Sequence, residues 1–537
     1  MIERASSYTD VCRNFRWNIP ESYNLGVDIC DKWVNSTRRT ALIYEDGDGE
    51  IREYTFSDLK GDSDRLANGL MALGISQGDR VGILLPQCPE TAIAHIAIYK
   101  IGAIAIPLFT LFGTEALEYR LSDASTKGII TDPENLGKVL EIKDGLPELE
   151  TVITTDSESG EIHNFWNIVG GASPDFKPAI THADDPALII YTSGTTGPPK
   201  GALHGHRVLL GHLPGVELPH DFFPQPGDRF WTPADWAWIG GLIDVLFTSL
   251  HHGIPVVAHR ARKFDPEEAF HFLARHQIRN VFMPPTALKV MRQVPNPGNL
   301  CDYQLRSLGS GGETLGEELL EWGKETFGLT INEFYGQTEA NLLVANCTVL
   351  MDAKPGSMGR AVPGHTVEVL DEVGNLCGTG EIGEIAVKGP DPVMFLGYWG
   401  NDVATKDKFL GDWCLTGDIA KKDEDGYFWF VGRKDDVIIS SGYRIGPAEI
   451  EDCLIKHPDV AMAAVVGVPD EIRTEIVKAF VVLKEGAEPR KKLESEIQEF
   501  VKTRLAAHEY PRKVAFLEEM PMTTTGKIMR KELRDRG

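Results

Sequence analysis

Unbroken apolar runs bounded by turn residues alternate with helical spacings along most of this chain. The segments DRVGILLP (79–86) and DPALIIYTS (185–193) carry β-formers with little polar interruption, which predicts buried strands. TFSDLKGDSDRLANGLMALGI (55–75) predicts a helix, with Leu59, Leu66, Leu70 and Leu73 on one stripe and Thr55 placed to cap it. Strand–helix alternation of this kind implies a largely parallel α/β sheet. From about residue 360 the texture changes. TVEVLDEVGNLCGTGEIGEIAVKG (366–389) reads as hairpins, and DEDGYFWFVG (423–432) places an Asp-Gly turn before an aromatic strand. The stretch beyond GRKDDVIISSGYRIGPAEIE (432–451) has its own β/α alternation, so a domain boundary is expected near Asp435, dividing 1–434 from 435–537.

Composition narrows the function classes. With 42% apolar residues the chain is not disordered, and a formal charge of -25 argues against wholesale nucleic-acid binding. The first twenty residues lack the apolar core of a signal peptide, and no stretch reaches the length of a membrane span. Eight scattered cysteines, none in a Cys-x-x-Cys pair, point to reduced thiols in a cytoplasmic protein. His204 with His206, and His251 with His252, are close pairs, but no cysteine cluster joins them; packed histidines are the ordinary reading.

Three motifs carry chemistry. YTSGTTGPPKG (191–201) follows a buried strand, where α/β sheets present ligands. It is not the Walker loop, which ends Gly-Lys-Ser/Thr. Gly194 and Gly197 allow close backbone approach, Thr192, Ser193, Thr195 and Thr196 add hydroxyls, and Lys200 adds charge: a loop built for phosphate. The second motif, EFYGQTEA (333–340), offers Tyr335 to stack on a purine, the Thr338 hydroxyl, and Glu339 as a hard oxygen ligand for Mg²⁺. Alone it reads as a solvated loop. The third, PMTTTGKIMRKEL (521–533), sets Lys527 after Gly526; alone it reads as a solvated basic tail.

Taken in order with GSGGET (309–314), LTGD (415–418) and the 432–451 segment, these motifs resemble the AMP-forming acyl- and aryl-CoA synthetases, whose relatives include peptide-synthetase adenylation domains and luciferases. The resemblance covers nearly the whole chain. It implies an α/β fold: a large N-terminal domain of two sheet-and-helix subdomains plus a small β-barrel, then a small mobile α+β domain. It also implies ATP, Mg²⁺, coenzyme A and a carboxylic acid as the reacting set, with a homodimer as a compatible assembly. By the same resemblance, 192–197 and Lys200 would hold the β- and γ-phosphates. Gly312, Glu313, Thr314 and Tyr335, followed by Gly336 and Gln337, would surround the nucleotide, and Asp418 and Arg433 would bind ribose. Thr338 would touch the α-phosphate, Glu339 would hold Mg²⁺, and Lys527 would be the adenylation lysine. Asp435 would be the hinge; Gly442, Tyr443 and Arg444 would line or flank the coenzyme A path. One departure is visible: the family commonly has basic residues just before its Gly-Lys, where this chain has Met522 and Thr524.

The acid is read from PADWAWIGG (233–241), which resembles the acetyl-, propionyl- and medium-chain branch. Acetyl-CoA synthetases carry Trp, Val and Thr where this chain has Gly336, Gly311 and Gly240, the last after Trp238 and Ile239. Three small residues imply a slot deeper than acetate fills, hence a short- to medium-chain acid, each buried methylene contributing about 0.8 kcal/mol. The alternative is that the backbone or a neighbouring side chain such as Trp236 fills the gap. Branched, aromatic and thioether acids such as 3-methylthiopropionate stay open, as does loading of a separate carrier protein. A nucleotide-binding protein without catalysis would bind ATP but release no acid-dependent pyrophosphate.

Overall fold

A computed structural model gives the fold. It describes the chain except residues 35–37, 157–159, 193–197, 261–262, 314, 441–442, 471–472, 506–509, 524–526 and 537, and gives the backbone alone at 299, 439, 443, 444, 449 and 491. The run at 79–86 becomes strand Arg80–Leu84, parallel to Ile104–Pro107 and Gly128–Thr131. The run at 185–193 becomes Pro186–Thr192, parallel to Ile104–Pro107 on one side and antiparallel to Lys200–Gly205 on the other. All belong to one eight-stranded sheet. The predicted helix spans Phe56–Ala72 with Thr55 at its N-cap. Thr55 Oγ1 accepts the Asp58 N–H at 3.2 Å, and the Asp58 carboxylate accepts the Thr55 N–H at 2.8 Å, so two otherwise orphaned donors are satisfied reciprocally. Leu59, Leu66 and Leu70 are buried beneath it.

A second, nine-stranded sheet holds the other motifs. Asn280–Phe282, Ser307–Gly311 and Asn332–Gln337 run parallel. The chain then turns back at 338–339 into antiparallel Ala340–Ala345. One apolar core draws on both sheets, with Ile83 and Leu188 from the first beside Leu42, Val256 and Phe282 from the second. The hairpin region forms a five-stranded antiparallel sheet in which Trp413–Lys422 pairs with Phe428–Arg433.

The last hundred or so residues build a separate antiparallel hairpin, Val460–Asp470 with Thr474–Leu483, with Lys513–Leu517 added in parallel. Its two apolar clusters draw only on residues from Ile438 to Leu533, whereas the other four reach no further than Phe430. Helix Pro447–Ile455 lies against strand Phe428–Arg433, and Lys456 reaches Glu317 at 3.4 Å.

Candidate active site

Among the described residues, side chains of several motifs meet. Residues 193–197 of the glycine-rich loop, Thr314 and Gly442 lie outside the described residues, as do the side chains of Tyr443 and Arg444. The loop's flanks are visible. Thr192 pairs with Lys200 across the two antiparallel strands, and the Lys200 ammonium sits 5.2 Å from the Tyr398 ring centroid.

Tyr398 was not singled out in the sequence, yet it links two motifs. Its hydroxyl donates to Glu339 Oε1 at 2.5 Å. The main-chain oxygen of Glu339 accepts from Phe395 N at 2.8 Å. Glu339 is thus buried and oriented, while its second carboxylate oxygen accepts from no described residue. Mg²⁺ keeps most of its waters and takes one or two carboxylates besides phosphate oxygens, so this single hard donor fits it. Thr338, half-buried, stands beside Glu339 at the turn.

Tyr335 is held by its phenol, which donates to Asp418 Oδ2 at 2.6 Å. Burial, then the neighbouring Asp418 charge, pushes that phenol well above its ordinary range. Asp418 is itself buried, and desolvation raises its pKa against the opposing pull of Arg433, 3.2 Å away as an ion pair. Gln337 donates to Thr416 O at 3.3 Å, and its side-chain oxygen accepts from Lys408 at 3.0 Å. Lys408 was also missed: in the run TKDK it looks like a solvated surface lysine.

The C-terminal segment brings Lys527 to this cluster. Lys527 is exposed as a residue, yet the surrounding protein desolvates its ammonium and lowers its pKa. The charges of Asp418, Glu313 and Glu339 act in the opposite direction, and Arg433 adds to the lowering. Met522 and Thr524 supply no cation before Gly-Lys; other contacts anchor the segment. Met522 bridges Ile528, Thr523 N donates to Lys527 O at 2.7 Å, and Lys527 N donates to Thr523 Oγ1 at 3.0 Å. Arg530 grips Glu451 through both carboxylate oxygens, at 2.8 and 2.7 Å. Arg534 donates to Asp435 O at 3.1 Å and to Asp436 Oδ1 at 2.7 Å, tying the last helix to the expected hinge.

The slot expected from three glycines is not what the structure builds. A β-carbon at Gly311 would lie 2.6 Å from the ring of Phe334, and one at Gly240 would lie 2.8 Å from Phe282. One at Gly336 would lie 2.1 Å from Leu342 N. These glycines are seats for other groups, because their missing side chains let rings and backbone close in. Trp236 does not fill the gap; it is fully buried in the core of the large domain, with no hydrogen-bond partner for its indole N–H among the described residues. Ile239 is buried too. Trp238 is half-buried, lies 3.6 Å from the β-carbon position of Gly312, and meets Phe282 at a tilt, 5.4 Å between centroids; Phe282 meets Phe334, also tilted, at 5.2 Å. An aromatic ladder thus stands where the empty slot was expected.

Residues 31–399 match the family described as AMP-binding enzyme, and 449–527 match the AMP-binding enzyme C-terminal domain. The chain is 37% identical to the uncharacterized acyl-CoA ligase YtcI of Bacillus subtilis (strain 168), over 96% of each. It is 36% identical to the mitochondrial acyl-coenzyme A synthetase ACSM3 of Rattus norvegicus, over 98% of this chain and 93% of that one. The solved structure of the anthranilate CoA ligase AuaEII in complex with anthranoyl-AMP is similar with a TM-score of 0.88 at 29% identity, covering 96% of this chain and 98% of that one.

The ladder makes a stability prediction. Gly311→Val should cost about 1–3 kcal/mol by overpacking against Phe334, and Phe334→Ala about 3–5 kcal/mol by leaving a void. Combined, they should cost less than the sum by at least about 0.5 kcal/mol, since removing the ring relieves its part of the clash while the Phe334 main-chain oxygen, 2.7 Å from the β-carbon position, stays. Denaturant unfolding of the three variants checks this; strict additivity would mean that ring and glycine do not share space.

Proposed function

This chain belongs to the AMP-binding enzyme family, and from that membership we infer that its cleft activates an apolar carboxylic acid with ATP and passes the acyl group to coenzyme A. It is an acid–thiol ligase of the acyl-CoA synthetase type. In the first half-reaction a carboxylate oxygen bonds to the α-phosphorus, the bond to the bridging β-oxygen breaks, and pyrophosphate leaves. In the second the coenzyme A thiol gives up its proton and bonds to the acyl carbon, and AMP leaves.

The observation that carries the residue roles is Lys527, which stands within electrostatic reach of Asp418, Glu313 and Glu339 although it lies far along the chain. Two anions must meet in the first step. An ammonium between them offsets their repulsion as charge moves onto the bridging oxygen, and one well-placed donor of this kind is worth about 2.7–4 kcal/mol. Tyr335 would pack on adenine while its hydroxyl stays with Asp418, which with Arg433 would take the ribose. Glu339, oriented by Tyr398, would hold Mg²⁺, whose charge would neutralise the leaving pyrophosphate. Lys200 and the loop it closes would take the outer phosphates. For the second step the C-terminal unit would turn about Asp435, bringing the Gly442 region in.

The acid would be bounded by the aromatic ladder rather than by an empty slot. Apolar acids of short to medium chain suit such a wall; Trp238 would meet the tail. No described helix is long and apolar enough to cross a membrane, and the eight cysteines are free, which suits a reducing aqueous compartment such as the cytoplasm.

A pyrophosphate-release screen across acids graded in length and branching, with coenzyme A present, tests the reading. Turnover should peak with short- to medium-chain apolar acids and yield the coenzyme A thioester directly. Thioester formation only with a carrier protein would overturn it. Lys527→Ala should slow acyl-AMP formation about 10²–10³-fold and spare thioester formation from supplied acyl-AMP; Gly442→Trp should do the reverse.

The pH profile gives a further check. The protonated Lys527 is the working form, and its pKa is depressed. Adenylation should therefore be full below that pKa and fall as pH rises through it, earlier than an ordinary lysine allows. Lys527→Arg keeps its proton throughout, so the alkaline limb should move up even if the rate drops. A limb that stays put would assign the titration to another group.

A further inference from the structure

Lys408 lies between the family motifs, yet its side chain ends inside the cluster. Its Nζ donates to Gln337 Oε1 at 3.0 Å, to Leu415 O at 3.1 Å and to Thr416 O at 3.3 Å. Those three acceptors use all three ammonium protons. None of them is charged, and among the described residues no carboxylate comes within 4.0 Å of Nζ. A surface lysine would instead extend into water or onto a nearby acid; Asp402, Lys406 and Asp407 beside it are all exposed, while Lys408 folds inward.

The consequence is both mechanical and electrostatic. Gln337 precedes Thr338 and Glu339 at the turn between two strands of the large sheet, and Leu415 and Thr416 lie on the strand that carries Asp418. Lys408 and the Gln337 amide, which donates to Thr416 O, stitch the two together. Because its partners are neutral, the lysine's charge remains available to act on other groups; it already bears on Asp418. We propose that Lys408 is a positioning residue of the adenylation site: it fixes the Gln337–Glu339 turn and lends a positive charge, held in no close ion pair among the described residues, that favours the triphosphate of ATP. This rests on the reading of the cleft given above.

The test compares Lys408→Met and Lys408→Arg with the wild-type chain in three measurements. These are MgATP binding by calorimetry, the KM for ATP and for the acid in pyrophosphate release, and thioester formation from supplied acyl-AMP. Lys408→Met should weaken MgATP binding and raise the KM for ATP by about tenfold or more. The KM for the acid and the thioester step should stay within about threefold. Lys408→Arg, which keeps the charge, should recover most of the ATP effect. Unchanged ATP binding and KM in Lys408→Met would overturn the proposal. So would equal losses by both variants in both half-reactions, which would reduce the residue to packing. Should Lys408→Met fail to fold, Lys408→Gln, neutral but still able to donate to carbonyls, carries the same ATP comparison. If the wild type releases no pyrophosphate with any acid, the ligase reading falls, while the calorimetric comparison still decides on Lys408.

Discussion

Two arginine–carboxylate contacts decide where the charge of Lys527 stands. The lysine makes no ion pair of its own within 4.0 Å among the described residues. Its position comes from the frame around it: the bidentate grip of Arg530 on Glu451, and the hold of Arg534 on Asp436 and on the Asp435 carbonyl. Charge-assisted hydrogen bonds of this sort are short and stronger than neutral ones. Helix Pro447–Ile455, carrying Glu451, packs against the strand that contains Arg433. An acidic cleft and a cation from a separately cored unit are thereby held in register, without the lysine being neutralised by a close partner.

Local order was legible because it rests on neighbours in sequence. The capped helix after Thr55, the strands at 80–84 and 186–192, and the aromatic strand after the Asp-Gly turn follow from spacing and turn chemistry alone. The resemblance then marked Tyr335, Glu339, Asp418 and Lys527, which the fold brings within electrostatic reach of one another. Lys408 and Tyr398 were not legible. Lys408 meets Gln337 across 71 residues, and Tyr398 meets Glu339 across 59. Nothing local distinguishes a lysine in a charged run from one that folds inward, because its acceptors are a side chain far back in the chain and two main-chain atoms of a strand still to come.

The glycines show the opposite failure, in which a local signal misled. Comparing Gly240, Gly311 and Gly336 with larger residues counts volume removed, but protein interiors close around vacancies. Phe282, Phe334 and the Leu342 backbone occupy what the missing side chains would have taken. Depth in such a pocket is a property of the second layer of residues, which pairwise comparison of the first layer does not reach.

The Thr192–Lys200 pairing has one more implication. In the Walker arrangement a helix begins directly after the glycine-rich loop, and its terminal dipole clings to phosphate. Here the next element among the described residues is strand Lys200–Gly205, so the chain does not run from the loop into a helix. In the proposed reading the outer phosphates would be held by the Lys200 amine, which leans on the face of Tyr398, with the loop's hydroxyls and amides, the metal on Glu339 and the charge of Lys408. In the proposed reaction such a grip is shallow by construction: it steadies the departing anion during bond cleavage and lets it diffuse away afterwards, so that the cleft is vacated in time for the thiol.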